Sequence, residues 1–237
     1  LPSIILERKG DMQVNGDLMF VHVPKTGGES VTQVLNPHTN YMFDQHDTLF
    51  RAFRAEPETF VTRYRFGFVR NPFDREVSNY FWHTKQNDKV DIEFGDWVKW
   101  RYNENTKILA YKNFKDPDTY WYHKGFGRNP QVGFFVNPAG DWLHNFIGRF
   151  ETLQEDWEVI ANKFNLQKKL PYAQKTERDA DYRIYYTDEL VDIVAEAHKA
   201  DLIAFNYDFE HGMLSKEINK SVRPKIHLHY NYNYYYG

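Results

Sequence analysis

Lys25 stands directly ahead of a glycine pair in the stretch FVHVPKTGGES, residues 20–30. Gly27 and Gly28 can adopt positive φ and let the backbone come close to a ligand. A turn of that kind exposes successive N–H groups, and a helix running on from Ser30 adds its positive end, so the stretch has the parts of an anion nest. Thr26 and Ser30 supply hydroxyl donors, and Lys25 a mobile point charge. The nucleotide-triphosphate pattern G-x-x-x-x-G-K-[ST] is absent. In that pattern the lysine follows the glycines and works beside magnesium, whereas Lys25 is on the strand side of the turn. That position suits a single phosphate and the bond leaving it, without a metal. The alternative is an ordinary glycine turn with an exposed lysine.

A second stretch, FVRNPFDREVSNYF at 68–81, raises the same chemistry again. It places Arg70 at a strand end and Ser78 just inside the next helix, on the same sheet edge as the first turn. Arg70 in a structural salt bridge and Ser78 as a solvated helix residue is the plain alternative. Two anion-ready strand ends in succession suggest a ligand with two separate phosphate-like groups.

The elements that must position these residues follow from periodicity. Residues 17–23, DLMFVHV, read as a buried strand, and 30–35 as the start of a helix with Val31, Val34 and Leu35 on one face. Residues 40–44 form a second short strand candidate, followed by a helix whose Leu49, Phe50 and Phe53 share a face. Residues 63–70 read as a strand. Pro72 is well placed to open the next helix, where Phe73, Val77, Tyr80 and Phe81 make an apolar stripe. Residues 131–151 look like two strands around the turn Asn-Pro-Ala-Gly. Residues 152–164 predict a helix with Thr152 and Glu155 as a capping box and Trp157, Ile160, Ala161 and Phe164 inward. Residues 187–205 predict one final amphipathic helix, with Leu190, Val191, Val194 and Ala197 inward. Strands alternating with helices imply a mostly parallel α/β sheet with its site at the carboxyl ends of the strands.

Size and composition set the bounds. The chain has 237 residues, 41% of them hydrophobic, which suits a single domain with a real core. We expect one domain over 1–237, with an acceptor-side insertion at about 87–130, a segment with a helix candidate in DIEFGDWVKWRYN, and a low-complexity Tyr-rich tail at 227–237. A net charge of -3 argues against general nucleic-acid binding, so any anion site is local. Seventeen tyrosines and nineteen phenylalanines build a ring-rich core or, on the other reading, a wide aromatic cleft. The absence of cysteine excludes disulfides, thiolate nucleophiles and Cys-ligated zinc. No metal-ligand spacing is present, so no metal is expected. With no signal or membrane-spanning segment in these residues, a cytoplasmic setting is favoured, while a targeting or anchor segment removed ahead of Leu1 stays open.

Taken together, VPKTGGES, FVRNPFDREVSNYF, IGRFETLQEDW and the block 182–209 resemble the P-loop-like sulfotransferases, in the branch of carbohydrate O-sulfotransferases and their bacterial relatives. The resemblance covers most of 18–209 apart from the middle insertion, and it departs at Glu29, where many members carry Thr or Ser. It implies a three-layer α/β fold, with a mostly parallel central sheet flanked by helices. It also implies the donor 3'-phosphoadenosine 5'-phosphosulfate (PAPS) and the product 3',5'-ADP. By the same resemblance Lys25, Thr26, Gly27, Gly28, Glu29 and Ser30 surround the 5' group, and Arg70 and Ser78 carry the 3'-phosphate. The acceptor implied is a hydroxyl on a saccharide, or else on a small-molecule alcohol or phenol.

Transfer of this kind builds charge on the leaving oxygen, which Lys25 is placed to neutralise. The acceptor hydroxyl needs a base. His46, just past the second strand, is the residue we assign, since histidine titrates near neutrality and family members often carry a His or Glu base there. A loop histidine with no such role is the alternative, and Asp44 or Asp47 could orient it or replace it. His22 sits inside a strand and reads as buried. Arg149 and Glu151 read as a structural pair. Lys175 and Arg178 could close over the nucleotide or form a solvated charge run. Two other functions stay open on sequence grounds: a P-loop-type kinase, and a non-catalytic nucleotide or glycan binder of the same fold.

Overall fold

The computed structural model describes residues 12–15, 18–35, 40–41, 47–87, 92–102, 129–171 and 177–222. His46, Asp44, Lys175 and the tail 227–237 lie outside the described residues, as does 103–128 of the expected insertion.

Five strands form the sheet: β1 (Met12–Asn15), β2 (Leu18–Val21), β3 (Asn40–Tyr41), β4 (Tyr64–Val69) and β5 (Phe146–Arg149), in the order β3-β1-β2-β4-β5. β2, β4 and β5 run parallel, with Phe20 opposite Phe66 and Phe66 opposite Phe146. β1 runs against both β2 and β3. β1 was not foreseen.

β2 is apolar throughout and β4 nearly so, because both faces of the sheet are covered there. Leu18 and Phe20 of β2, with Phe66 and Phe68 of β4, meet α1 (Gly28–Leu35) and α6 (Leu153–Phe164) through Val31, Leu35, Trp157 and Ile160. Met19 and Val21, with Val69, face the other way. There they meet α2 (Leu49–Ala55), α3 (Pro57–Thr62) and α8 (Lys199–Phe205) through Leu49, Phe60 and Phe205. Two cores on opposite faces of one sheet make the three layers the motifs implied. Each fully buried large side chain in them is worth about 1.5–3 kcal/mol.

A third cluster joins α4 (Pro72–Phe81), α5 (Phe94–Tyr102) and α7 (Asp188–Ala197) around Phe73, Val77, Trp97, Trp100, Leu190 and Val194. α5 lies within the span expected as an insertion, yet Trp97 and Trp100 are fully buried.

Three local readings are corrected. Gln131–Phe134 is a 3-10 helix, not a strand; only a single bridge, Val136 to Trp142, flanks the turn before β5. The capping box is not formed. Phe150–Thr152 wind as a 3-10 turn, and this takes Thr152 out of cap geometry. Its hydroxyl instead donates to Asp156, whose carboxylate reaches back to the Arg149 N–H at 2.7 Å. The final helix breaks at His198, where φ is -113° and ψ 20°. The His198 ring is drawn inward, with Nε2 at 2.8 Å from the Tyr102 hydroxyl and Nδ1 at 3.3 Å from Asp201.

Candidate active site

The three parallel strands end at one edge of the sheet, and each delivers a piece of the site. β2 leads into the turn at 22–27. Lys25 adopts φ 66° and Gly27 φ 82°, so two left-handed residues bracket Thr26. A non-glycine residue in that region is strained, and such strain gathers at ligand sites. The Thr26 hydroxyl donates to the Val23 carbonyl at 2.9 Å and is fully buried, so it pins the turn rather than facing outward as a donor. Gly28 opens α1 against the buried His22 ring, where a Cβ would come within 2.0 Å of the imidazole. His22 stacks on Phe20 at 5.8 Å and is a core residue, as its strand position suggested. Glu29 is exposed in the first turn of α1 and Ser30 is buried behind it.

β4 leads to Arg70. Its Nε donates to Asp74 at 2.8 Å, its Nη2 lies 2.6 Å from the same carboxylate oxygen, and its Nη1 donates to the Lys25 carbonyl at 3.1 Å. Those three contacts leave two of the five N–H donors of the guanidinium unused by them. Arg70 therefore does pair internally, as the plain alternative had it, and still has donors to give. Asn71 caps α4, accepting from the Phe73 N–H at 2.9 Å, and Pro72 follows in the first turn. Arg75, one turn on, donates from Nε to the Pro24 carbonyl at 3.0 Å. The turn after β2 is thus held by its carbonyls from the β4 side. Ser78 is buried within α4.

β5 leads to Phe150, whose ring lies 3.8 Å from the Arg70 guanidinium carbon. Glu151 accepts the Asn71 N–H at 2.7 Å and the Tyr207 hydroxyl at 2.8 Å. Arg149 instead donates to the carbonyls of Lys216 and Glu217, so the expected Arg149–Glu151 pair is not made. Asp47 pairs with Arg51 at 2.9 Å and accepts the Thr48 N–H at 3.1 Å.

Arg178 closes the cluster by pairing with the second oxygen of Asp74. One carboxylate thus serves two guanidiniums. The Lys25 ammonium makes no ion pair among the described residues and lies 5.2 Å from the Trp82 ring, where α4 widens into a π-helical stretch, Trp82–Asn87. Burial lowers the Lys25 pKa to about 8; Arg70 and Arg178 push the same way, and Glu29 opposes them. Burial likewise lowers the Arg70 pKa, against the pull of Asp74. Lys25, Arg70 and Arg178 therefore feel one another's charge, as residues assembled to hold an anion would.

Sequence reasoning missed Asp74, Arg75, Trp82 and Phe150. Asp74 had a signal, since it stands four residues after Arg70 and in the first turn of a helix. Arg75 had none, because its partner is a backbone carbonyl fifty-one residues away.

Comparison with known proteins agrees with the geometry. The chain is 28% identical over 120 residues to an uncharacterized protein of Archaeoglobus fulgidus, a match spanning 50% of this chain and 81% of that one. No solved structure matches it. The sulfotransferase family matches residues 11–208, which take in the strand-end turns, the π-helical stretch and Arg178. The chain is an enzyme of sulfuryl transfer and belongs to the sulfotransferase family.

Proposed function

We propose that the chain transfers the sulfuryl group of PAPS in line to an acceptor hydroxyl. One observation carries this reading: three cations, Lys25, Arg70 and Arg178, share the carboxyl edge of the parallel strands with a single paired carboxylate, Asp74. The mutual repulsion of these cations fits a polyanionic donor, and the left-handed Lys25 sits in the turn after β2. The turn of Lys25 to Ser30 would hold the 5' end. Arg70 and Ser78 would hold the 3'-phosphate, and Arg178 would add charge between them.

In the transfer, the bond between sulfur and the bridging oxygen breaks and its electron pair stays on the 5'-phosphate. The acceptor oxygen forms the new bond to sulfur and gives up its proton. The Lys25 ammonium would offset the charge growing on the bridging oxygen. His46 is the base we assign from its place after the second strand. The acceptor is a saccharide hydroxyl, a reading that rests on the motifs shared with the carbohydrate branch.

Arg70→Ala tests the donor. A charge-assisted hydrogen bond is worth about 1.5–3 kcal/mol, so the variant should bind PAPS more than tenfold more weakly. Its affinity for adenosine 5'-phosphosulfate, which lacks the 3'-phosphate, should hardly change. Equal losses in calorimetry would remove the assignment. Release of 3',5'-ADP from PAPS in the presence of mixed glycans, compared with simple alcohols and phenols, identifies the acceptor class.

A further inference from the structure

Arg70 is the first residue beyond the sheet ladder, whose last register pair on this side is Val69 with Arg149. Its peptide groups are buried, and a buried peptide group left without a partner costs about 1–3 kcal/mol. One side chain satisfies both. The Oε1 of Gln131 accepts the Arg70 N–H at 2.9 Å, and its Nε2 donates to the Arg70 carbonyl at 2.8 Å. A primary amide offers a donor and an acceptor side by side, as a neighbouring strand does, so Gln131 extends the ladder by one residue.

Gln131 is itself wholly buried and tightly held. Asp201, on α8, accepts the backbone N–H of Gln131 at 2.7 Å and that of Val132 at 2.9 Å, and lies 3.4 Å from the Gln131 Nε2. His198 approaches the same carboxylate from Nδ1. With Asp201 on the Nε2 side, only one orientation of the amide suits all its neighbours. The dihedral angles of Arg70 are therefore set from outside the strand, and they determine where its guanidinium goes.

We infer that Gln131, oriented by Asp201, is a positioning residue that fixes the backbone of Arg70 and so sets the preference of the site for a nucleotide bearing a 3'-phosphate. This rests on the donor reading above. The test titrates 3',5'-ADP and 5'-AMP by calorimetry into the wild-type chain, Arg70→Ala, Gln131→Glu and Gln131→Asn, with a melting curve for each. Gln131→Glu keeps the shape and an acceptor but sets a carboxylate against the Arg70 carbonyl and Asp201. Gln131→Asn is one methylene too short to reach both groups. Each should lower the affinity ratio of 3',5'-ADP to 5'-AMP by about tenfold, the scale of one hydrogen bond. General loosening of the fold would weaken both ligands and leave that ratio alone.

An undiminished ratio in variants that stay folded overturns the inference. Should both glutamine variants fail to fold, Asp201→Asn takes their place with the same expected outcome and the same refutation. If Arg70→Ala abolishes the preference and the glutamine variants keep it, the donor reading stands and only this inference falls. A wild-type chain with no preference overturns both.

Discussion

Two polar clusters lie within this small fold, built from the same residue types and put to different ends. One is the strand-end cluster of Lys25, Arg70, Asp74 and Arg178. The other lies behind it, around Glu76. There Glu76, only 2% exposed, accepts Trp97 Nε1 at 2.8 Å and the Tyr102 hydroxyl at 2.8 Å, and faces the Arg101 guanidinium at 2.7 Å. Tyr102 continues to His198 and Asp201. In this second cluster each charge has an internal partner: Glu76 has Arg101, and Asp201, which also orients Gln131, has two backbone amides, the His198 ring and the charge of the buried Arg75. In the first, two guanidiniums share one carboxylate, Lys25 is strained and partly desolvated, and its ammonium makes no ion pair among the described residues. Burial and charge alone do not mark a site. Mutual repulsion among gathered cations points to one, because an anionic ligand would relieve it.

The sharpest way to break this division is Glu76→Ala. It leaves the fully buried Arg101 without its carboxylate, a change that typically costs about 3–5 kcal/mol. Urea or thermal unfolding should show that loss, while the 3',5'-ADP to 5'-AMP ratio of the folded fraction stays as it was. A collapse of the ratio with little loss of stability would put Glu76 itself inside the site. Lys25→Ala should do the reverse. Removing one preorganised donor from a transferring group costs about a hundredfold or more in kcat, and the melting temperature should hold or rise. Turnover near wild type would deny Lys25 its role.

The smallest effect is one of pH. With its pKa lowered to about 8 by burial, Lys25 loses its proton as pH rises through that value. Affinity for an anionic nucleotide should therefore fall between pH 7 and pH 9. The stability of the unliganded chain should move oppositely. Between about 8 and the ordinary lysine value of 10.5 the unfolded chain binds more protons, so stability rises with pH there. Calorimetric titration at the two pH values, beside denaturant melts, reads both signs, and parallel movement of the two would contradict the assignment.

How much of this could be read from the sequence depends on how far apart the partners lie. β2 and β4 were legible because strands covered on both faces are short apolar runs. The turn after β2 and Arg70 were legible because chemistry gathers where such runs end. β1 was not, since Met12 and Val14 alternating with Gln13 and Asn15 make a run of only four residues; the Asn15–Gly16 pair ahead of β2 was the available hint. Residues 131–136 were misread because apolar character reports burial and not conformation. The 187–205 break was invisible because the helical period runs straight through His198, whose ring is turned inward by partners on other elements. Gln131 acts on a residue sixty-one positions away through a single amide, and no local pattern encodes that.

The left-handed backbone at Lys25 has a further consequence. A glycine in that conformation avoids a penalty of about 1 kcal/mol that any larger residue carries. Lys25→Gly should thus give a hardier protein that has forfeited its turnover, and a melting curve beside a sulfation assay would show whether the two part company. On the proposed role of Lys25 in the transfer, keeping a lysine in this turn trades durability for chemistry.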